Sequence, residues 1–336
     1  MILVTGATGH IGNVLVRELV ARGEQVRALL LPGEDPSPLQ GVEAQKVEGD
    51  VLDPDSIRAA LDGVQRVYHL AGLISIMPQM YGRLYQVNVI GTRNMLQACR
   101  RARVRRLVYT SSIHAIAVPP EGNVIDESLP VDPDQTWGDY DRTKAMATRE
   151  VQQAAAEGLD AVIVCPTGVI GPYDFRRSEV GQFILDCARP GPKLFIEGAY
   201  DFVDVRDVAA GHILACEYGR RGESYILSGS RLTVRRILAL VEDITGHHGP
   251  HLRLPLWLAE LTSHVAPLFY RLTRAKPRFT PYSLHTITSN SVISPRKARG
   301  ELGYATRPAR ESIADTLRWF AEQGALRPAP ARVRAR

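Results

Sequence analysis

Short apolar runs recur through the first half of the chain, at Ile2 to Val4, Gln25 to Leu30, Ala44 to Val47, Arg66 to Leu70, Arg106 to Tyr109 and Asp160 to Cys165. Runs this short, set between longer segments of helical spacing, read as strands buried on both faces. The first connecting segment places Ile11, Leu15, Leu19 and Val20 on one face, and the one after Asp53 does the same with Ile57, Ala60 and Leu61. One-sided helices alternating with buried strands predict an α/β fold, a doubly wound parallel sheet covered on both faces.

Past Cys165 the alternation breaks. Pro166, Pro172, Pro190 and Pro192 mark loops; beyond them we expect a strand at Ser224 to Leu227 and helices at Val234 to Thr245, Pro255 to Leu272 and Arg310 to Gln323. The predicted organisation is a first domain over residues 1–171, to which 201–228 returns. A smaller, partly interleaved second domain covers 172–200 and 229–324, and a disordered basic tail covers 325–336. A chain of 336 residues, 45% of them hydrophobic, can bury two such cores without a metal or disulfide. The four cysteines lie far apart and read as reduced thiols. No apolar stretch is long enough for a transmembrane segment and the N-terminus carries no signal peptide, so a soluble, cytoplasmic protein is expected. The net charge of +5 would suggest a nucleic-acid partner, but Arg327, Arg332, Arg334 and Arg336 in the tail carry four of those charges. Arg100 to Arg106 reads as a solvated helix end, and no nucleic-acid partner is expected.

Candidate chemistry begins at the first turn. Gly6-Ala7-Thr8-Gly9-His10-Ile11-Gly12 follows the first strand and opens the first helix. Glycines let the backbone turn back and approach a pyrophosphate, which the helix N-terminus then holds with oriented N–H groups. Farther on, Tyr140 and Lys144 are four residues apart and share a helix face. A nearby ammonium favours the phenolate and should draw the Tyr140 pKa down toward the range of a general acid/base. Asn88 falls in a predicted helix interior, where asparagine is a poor former, and by itself reads as a polar contact to a neighbouring strand. His114, His247 and His248 have no metal-ligand partners at useful spacing and read as loop or surface residues, so no metal site is expected.

These segments resemble the extended short-chain dehydrogenase/reductase superfamily, also called the NAD-dependent epimerase/dehydratase family. The resemblance is carried by the glycine turn, Gly49-Asp50-Val51, His69-Leu70-Ala71-Gly72, Asn88-Val89-Ile90-Gly91-Thr92 and Tyr109-Thr110-Ser111-Ser112. It continues through Tyr140-Asp141-Arg142-Thr143-Lys144, Pro166-Thr167-Gly168-Val169-Ile170-Gly171-Pro172 and Phe202-Val203-Asp204-Val205-Arg206-Asp207-Val208-Ala209. It implies that Gly6, Thr8, Gly9, His10, Ile11 and Gly12 surround the pyrophosphate, that Asp50 and Val51 hold the adenine, and that Leu70, Ala71 and Gly72 line the ribose. It also implies that Pro166, Thr167, Gly168 and Val169 pass beside the nicotinamide, with Asn88 and Thr110 nearby. Tyr140 would exchange the proton, Ser112 would bond the reacting oxygen, and Lys144 would tune Tyr140 and grip the nicotinamide ribose.

The family reads its cofactor at the end of the second strand, where this chain has Leu30 and Leu31 and so fits neither the acid of NAD binders nor the arginine of NADP binders. The surrounding sequence is similar to the dihydroflavonol-reductase-like branch, which leans the choice to NADP(H) and leaves NAD(H) open. Ile116 and Ile170 stand where sugar-nucleotide epimerases carry tyrosines, and with the loop Leu73 to Met80 they suggest an apolar pocket. Ile113-His114 stands where sugar dehydratases carry an acid pair, arguing against dehydration. From Leu252 onward the chain looks like dihydroflavonol-reductase-like and hopanoid-associated proteins. Within it, Leu254 to Leu272 reads first as a core-facing helix kinked at Pro267, with a substrate lid or a peripheral membrane contact as alternatives. The resemblance thus implies an NAD(P)-dependent oxidoreductase acting on a small but bulky apolar molecule. A homodimer would pair through the helices bearing Asn88 and Tyr140. A sugar-nucleotide epimerase with the same Ser-Tyr-Lys set, and a non-catalytic redox sensor, are the alternatives.

Overall fold

The computed structural model describes residues 1–75, 80–261 and 281–326. Its centre is a sheet of seven parallel strands: β1 (Ile2–Thr5), β2 (Val26–Leu30), β3 (Gln45–Glu48), β4 (Arg66–His69), β5 (Arg106–Thr110), β6 (Ala161–Pro166) and β10 (Ser224–Leu227), in the order β10-β6-β5-β4-β1-β2-β3. The predicted runs are these strands, to within a residue or two at each end. Side chains alternate across the sheet. Ile2 and Val4 of β1 pack with Val14, Leu15 and Leu19 of helix α1 (His10–Ala21), while Leu3 between them packs with Ile57, Leu96 and Leu107 on the other face. Full burial of each such side chain contributes about 2 kcal/mol.

Helices α2 (Pro54–Ala60), α4 (Gly91–Arg101) and α5 (Asp139–Ala156) lie on the Leu3 side, and α1 and α7 (Val205–Tyr218) on the other. A short helix α3 (Tyr81–Leu84) joins α4 through a wider π-helical turn, Tyr85–Ile90. The arginine cluster is a solvated helix end, with Arg100, Arg101, Arg103 and Arg105 exposed, but two of its members also tie the fold together. Arg100 pairs with Glu157, and Arg106 pairs with Asp160 while donating to the Cys216 and Gly219 carbonyls, fastening β5 to the turns after α5 and α7.

The second half contributes smaller sheets that the apolar pattern does not show. β7 (Gly168–Ile170) and β9 (Ala199–Asp204) run parallel, β11 (Ser230–Thr233) joins β9 antiparallel, and β8 (Lys193–Phe195) pairs with β12 (His251–Arg253). Against them pack α6 (Glu179–Ala188), α8 (Val234–Thr245) and the helix Ala309–Glu322. The fully buried Asp204 caps α7 and binds Arg206 at 2.8 Å and Arg307 at 3.4 Å, and Arg206 reaches Asp315 of the last helix. Of the predicted helix Pro255 to Leu272, residues 256–261 are helical and the rest lies outside the described residues, as do 76–79 of the apolar loop and 327–336 of the tail. No helix among the described residues is long and apolar enough to cross a membrane.

Candidate active site

The carboxyl ends of β1, β4, β5 and β6 converge at one edge of the sheet, on either side of the point where strand order reverses. That edge is where such sheets seat ligands. The glycine turn lies on it. Gly6 has φ +64°, and a Cβ there would come within 2.9 Å of the Leu70–Ala71 backbone. A Cβ on Gly12 would lie 2.1 Å from the Gly6 carbonyl oxygen. Only glycine permits both approaches. The first turn of α1 has no side-chain cap and no acid, so its N–H groups at His10, Ile11 and Gly12 present positive potential, which fits a pyrophosphate. The turn is tied to the segment after β7 by His10 Nε2 to the Pro172 carbonyl (3.0 Å) and Asn13 Nδ2 to the Tyr173 carbonyl (3.1 Å).

Thr5 ends β1, and its hydroxyl accepts from the N–H groups of Leu70 (3.1 Å) and Ala71 (3.0 Å) while meeting His69 Nδ1 at 2.8 Å. This fixes the path of His69 to Gly72. Burial lowers the His69 pKa to about 3, so the ring is neutral, and its Nε2 meets Thr92 Oγ1 at 3.2 Å. Asn88 lies in the π-helical turn rather than a regular helix. Its Oδ1 accepts from Leu73 N–H (2.7 Å), and its Nδ2 donates to the Leu73 carbonyl (3.0 Å) and Thr143 Oγ1 (3.1 Å). The asparagine therefore joins the loop after β4 to α5 instead of bonding a neighbouring strand. Val51 is buried beneath Gly91, where a Cβ would come within 2.7 Å, and Asp50 Oδ1 accepts from Leu52 N–H.

Ser112, just past β5, and Tyr140, in the first turn of α5, are brought together. The Ser112 hydroxyl lies close enough to the Tyr140 phenol to lower the tyrosine pKa by itself. Burial outweighs it and holds the pKa above the ordinary value. The expectation that Lys144 draws Tyr140 down is not met. The Lys144 ammonium points to β5, donating to the Thr110 carbonyl (2.6 Å) and the Tyr109 hydroxyl (3.0 Å). Burial lowers its own pKa to about 7, because an ammonium is costly in a dry site. The Thr110 hydroxyl faces away, meeting His212 Nε2 at 2.7 Å. Thr167 Oγ1 donates to Asp201 Oδ1 (2.7 Å), and a Cβ on Gly168 would meet the Tyr200 ring at 3.0 Å, so Pro166 to Val169 runs beside Tyr200.

Two expectations about the pocket wall are overturned. Ile116 and Ile170 do not line it. Each is buried in a core cluster, Ile116 with Leu107 and Ile163, Ile170 with Ile184 and Ile237. His114, in a short 3-10 turn Ile113–Ala115 rather than a loop, faces the site, its ring edge-on to Tyr140 with centroids 6.3 Å apart. Its Nε2 meets the Tyr200 hydroxyl at 2.8 Å and its Nδ1 faces the Asp141 carboxylate at 3.7 Å. Tyr282 donates to Asp141 Oδ1 at 2.5 Å, and Trp137 stacks on His285 at 4.2 Å. The wall beside Tyr140 is therefore aromatic with polar edges. An acid directly after Tyr140 and a histidine two residues after Ser112 were visible in the sequence, but Tyr200 and Tyr282 reach them only through the fold.

A family model described as the NAD dependent epimerase/dehydratase family matches residues 2–228. Sterol demethylase protein B of Methylococcus capsulatus is 42% identical over 96% of this chain and 99% of its own. A protein of Synechocystis named as a dihydroflavonol 4-reductase is 35% identical over 96% of this chain and 94% of its own. The solved structure of gox2253 is 35% identical with a TM-score of 0.84, covering 97% of this chain and 99% of that one.

Proposed function

Because this chain belongs to the NAD-dependent epimerase/dehydratase family, we propose that it interconverts a carbonyl and an alcohol on a bulky, largely apolar substrate, with Tyr140 as general acid/base. The nicotinamide, when bound, supplies or accepts the hydride. The observation that carries the reading is the meeting of Ser112, just past β5, with Tyr140, in the first turn of α5, at the carboxyl edge of the sheet, where the His114 ring lies edge-on to Tyr140. Ser112 bonds the reacting oxygen and keeps it within reach of the Tyr140 hydroxyl, which gives a proton to a forming alkoxide or takes one from an alcohol. Lys144, held by the Thr110 carbonyl and the Tyr109 hydroxyl with its pKa lowered to about 7, can place a positive charge beneath the ribose from there. Gly6 and Gly12 let the backbone close on the pyrophosphate.

The apolar substrate class is supported by the relatives named for a sterol and a dihydroflavonol, and by the aromatic wall formed by Tyr200, Tyr282 and Trp137. We place the protein in the cytoplasm as a homodimer paired through the helices bearing Asn88 and Tyr140; light scattering should then give about twice the chain mass of 37.1 kDa. The function is tested by assaying Tyr140→Phe against steroidal and flavonoid ketones. The variant should bind the reduced dinucleotide as the parent does and lose turnover by about two to four orders of magnitude. Unchanged turnover would remove Tyr140 from the mechanism. Turnover without net consumption of cofactor would instead identify an epimerase.

A further inference from the structure

The corner between the glycine turn and the end of β2 holds a carboxylate that Leu30 and Leu31 do not supply. Leu30 is buried and Leu31 is 48% exposed, but Glu34 folds back over them. Its Oε2 accepts from the Leu31 N–H at 2.8 Å and its Oε1 from the Thr8 hydroxyl at 2.5 Å. Glu34 thus stands between the phosphate-binding turn and the last peptide of β2, the corner where sheets of this type seat an adenosine ribose. Arg176, from the segment after β7, reaches across to the same place. Its Nη2 donates to Thr8 Oγ1 at 2.8 Å and it forms an ion pair with Glu34. Two further acids border the corner: Asp35 lies within electrostatic reach of Arg176, and Glu48 Oε1 faces the Gly33 N–H at 3.4 Å.

Resting on the reading that the chain binds a nicotinamide dinucleotide, we infer that Glu34 selects NAD(H) over NADP(H), and that Arg176 is a phosphate ligand which Glu34 keeps engaged elsewhere. An ionised carboxylate only accepts hydrogen bonds. A ribose 2′-hydroxyl can donate to it, whereas a 2′-phosphate brings about two negative charges and no donor. The guanidinium fork is the natural partner of a phosphate, but Glu34 and Thr8 already occupy it on this side. With Glu34 paired to Arg176, and with Asp35 and Glu48 bordering the corner, its carboxylates outnumber its one arginine and repel a further dianion. Neutralising Glu34 while keeping its shape would reverse this, because Arg176 would face the ribose without its ion pair to Glu34.

The test is a fluorescence titration of the full chain with NADH and with NADPH, repeated for Glu34→Gln, Arg176→Ala and the double variant, with melting temperatures confirming that each is folded. The parent should bind NADH about tenfold or more tighter than NADPH, the scale set by a hydrogen bond to a charged group. Glu34→Gln should shift the ratio toward NADPH by about tenfold or more, chiefly through tighter NADPH binding. Adding Arg176→Ala should abolish that gain while leaving NADH binding at the level of Glu34→Gln. A parent that prefers NADPH, a ratio unmoved by Glu34→Gln, or a gain that survives loss of Arg176 would each overturn the assignment and leave the oxidoreductase reading standing. Failure of the parent to bind either dinucleotide would overturn that reading itself, and this inference with it.

Discussion

Lys144 offers a prediction that needs no substrate. Its ammonium is buried against β5, with the Thr110 carbonyl and the Tyr109 hydroxyl as acceptors, and its pKa falls from 10.5 to about 7. Between those two values the folded chain sheds a proton that the unfolded chain keeps. Unfolding then takes up a proton, so stability must rise with pH across that window, by up to about 1.4 kcal/mol per pH unit and about 5 kcal/mol over the whole of it. Below about pH 7 the native state carries the full penalty of a buried charge. The perturbation is Lys144→Met, which keeps most of the volume and removes the charge. Urea denaturation of parent and variant at several pH values between neutrality and about pH 10 gives the difference in unfolding free energy. Other groups also titrate there: burial raises the thiols of Cys99 and Cys165 to about 12, which costs stability as pH rises. That contribution is common to both proteins and largely cancels in the difference. The variant should be more stable than the parent at neutral pH, and its advantage should shrink as pH rises. An advantage independent of pH would mean that Lys144 stays charged or solvated in the folded chain, and would refute the placement of its ammonium.

Gly12→Ala puts a methyl group 2.1 Å from the Gly6 carbonyl oxygen; the turn must open, with a loss of about 1–3 kcal/mol in chemical denaturation and of dinucleotide binding in titration. Asp204→Ala removes the cap of α7 and the buried carboxylate that Arg206 and Arg307 share, leaving them Asp315 and Asp207, and should cost about 1–3 kcal/mol, read as a lower urea midpoint. Thr5→Val strips two N–H groups of their acceptor and should destabilise by about 1–3 kcal/mol, while loosening the Leu70–Gly72 segment enough to weaken cofactor binding. Tyr200→Phe removes the hydroxyl that meets His114 and should raise KM or lower kcat on ketone substrates without changing NADH affinity, which steady-state kinetics separates.

What the sequence displayed follows from local physics. Six of the seven strands of the main sheet are short, mostly buried runs, and burial of that kind is written as nearly continuous apolar letters, whereas the edge strand β3 is mostly exposed. The runs from Ile2 to Val4 and from Asp160 to Cys165 therefore mark β1 and β6 almost to the residue. β9 stayed hidden because it carries Asp201 and Asp204, which read as loop residues. Both are buried, Asp201 held by the Thr167 hydroxyl and the Gly229 N–H, Asp204 by its arginines. β11, with exposed Arg231 and Thr233, shows no apolar run at all. The site divides in the same way. The glycine turn, and Tyr140 with Lys144, are set by neighbours a few residues apart. His114 is defined by Tyr200 and Tyr282, and Glu34 by Thr8 and Arg176, contacts that only the folded chain makes. The pKa of Tyr140 was misjudged because spacing along a helix shows that Lys144 is near, but not that its ammonium turns to β5 or that burial dominates.

The central claim, hydride exchange at a carbonyl with Tyr140 exchanging the proton, is tested most directly by isotope transfer from reduced dinucleotide deuterated at C4. Parent protein should move one deuterium per turnover to the carbinol carbon of a steroidal or flavonoid ketone, from one face of the nicotinamide only, and Tyr140→Phe should abolish the transfer while still binding the dinucleotide. Product formed without deuterium, or equal transfer by Tyr140→Phe, would contradict the account.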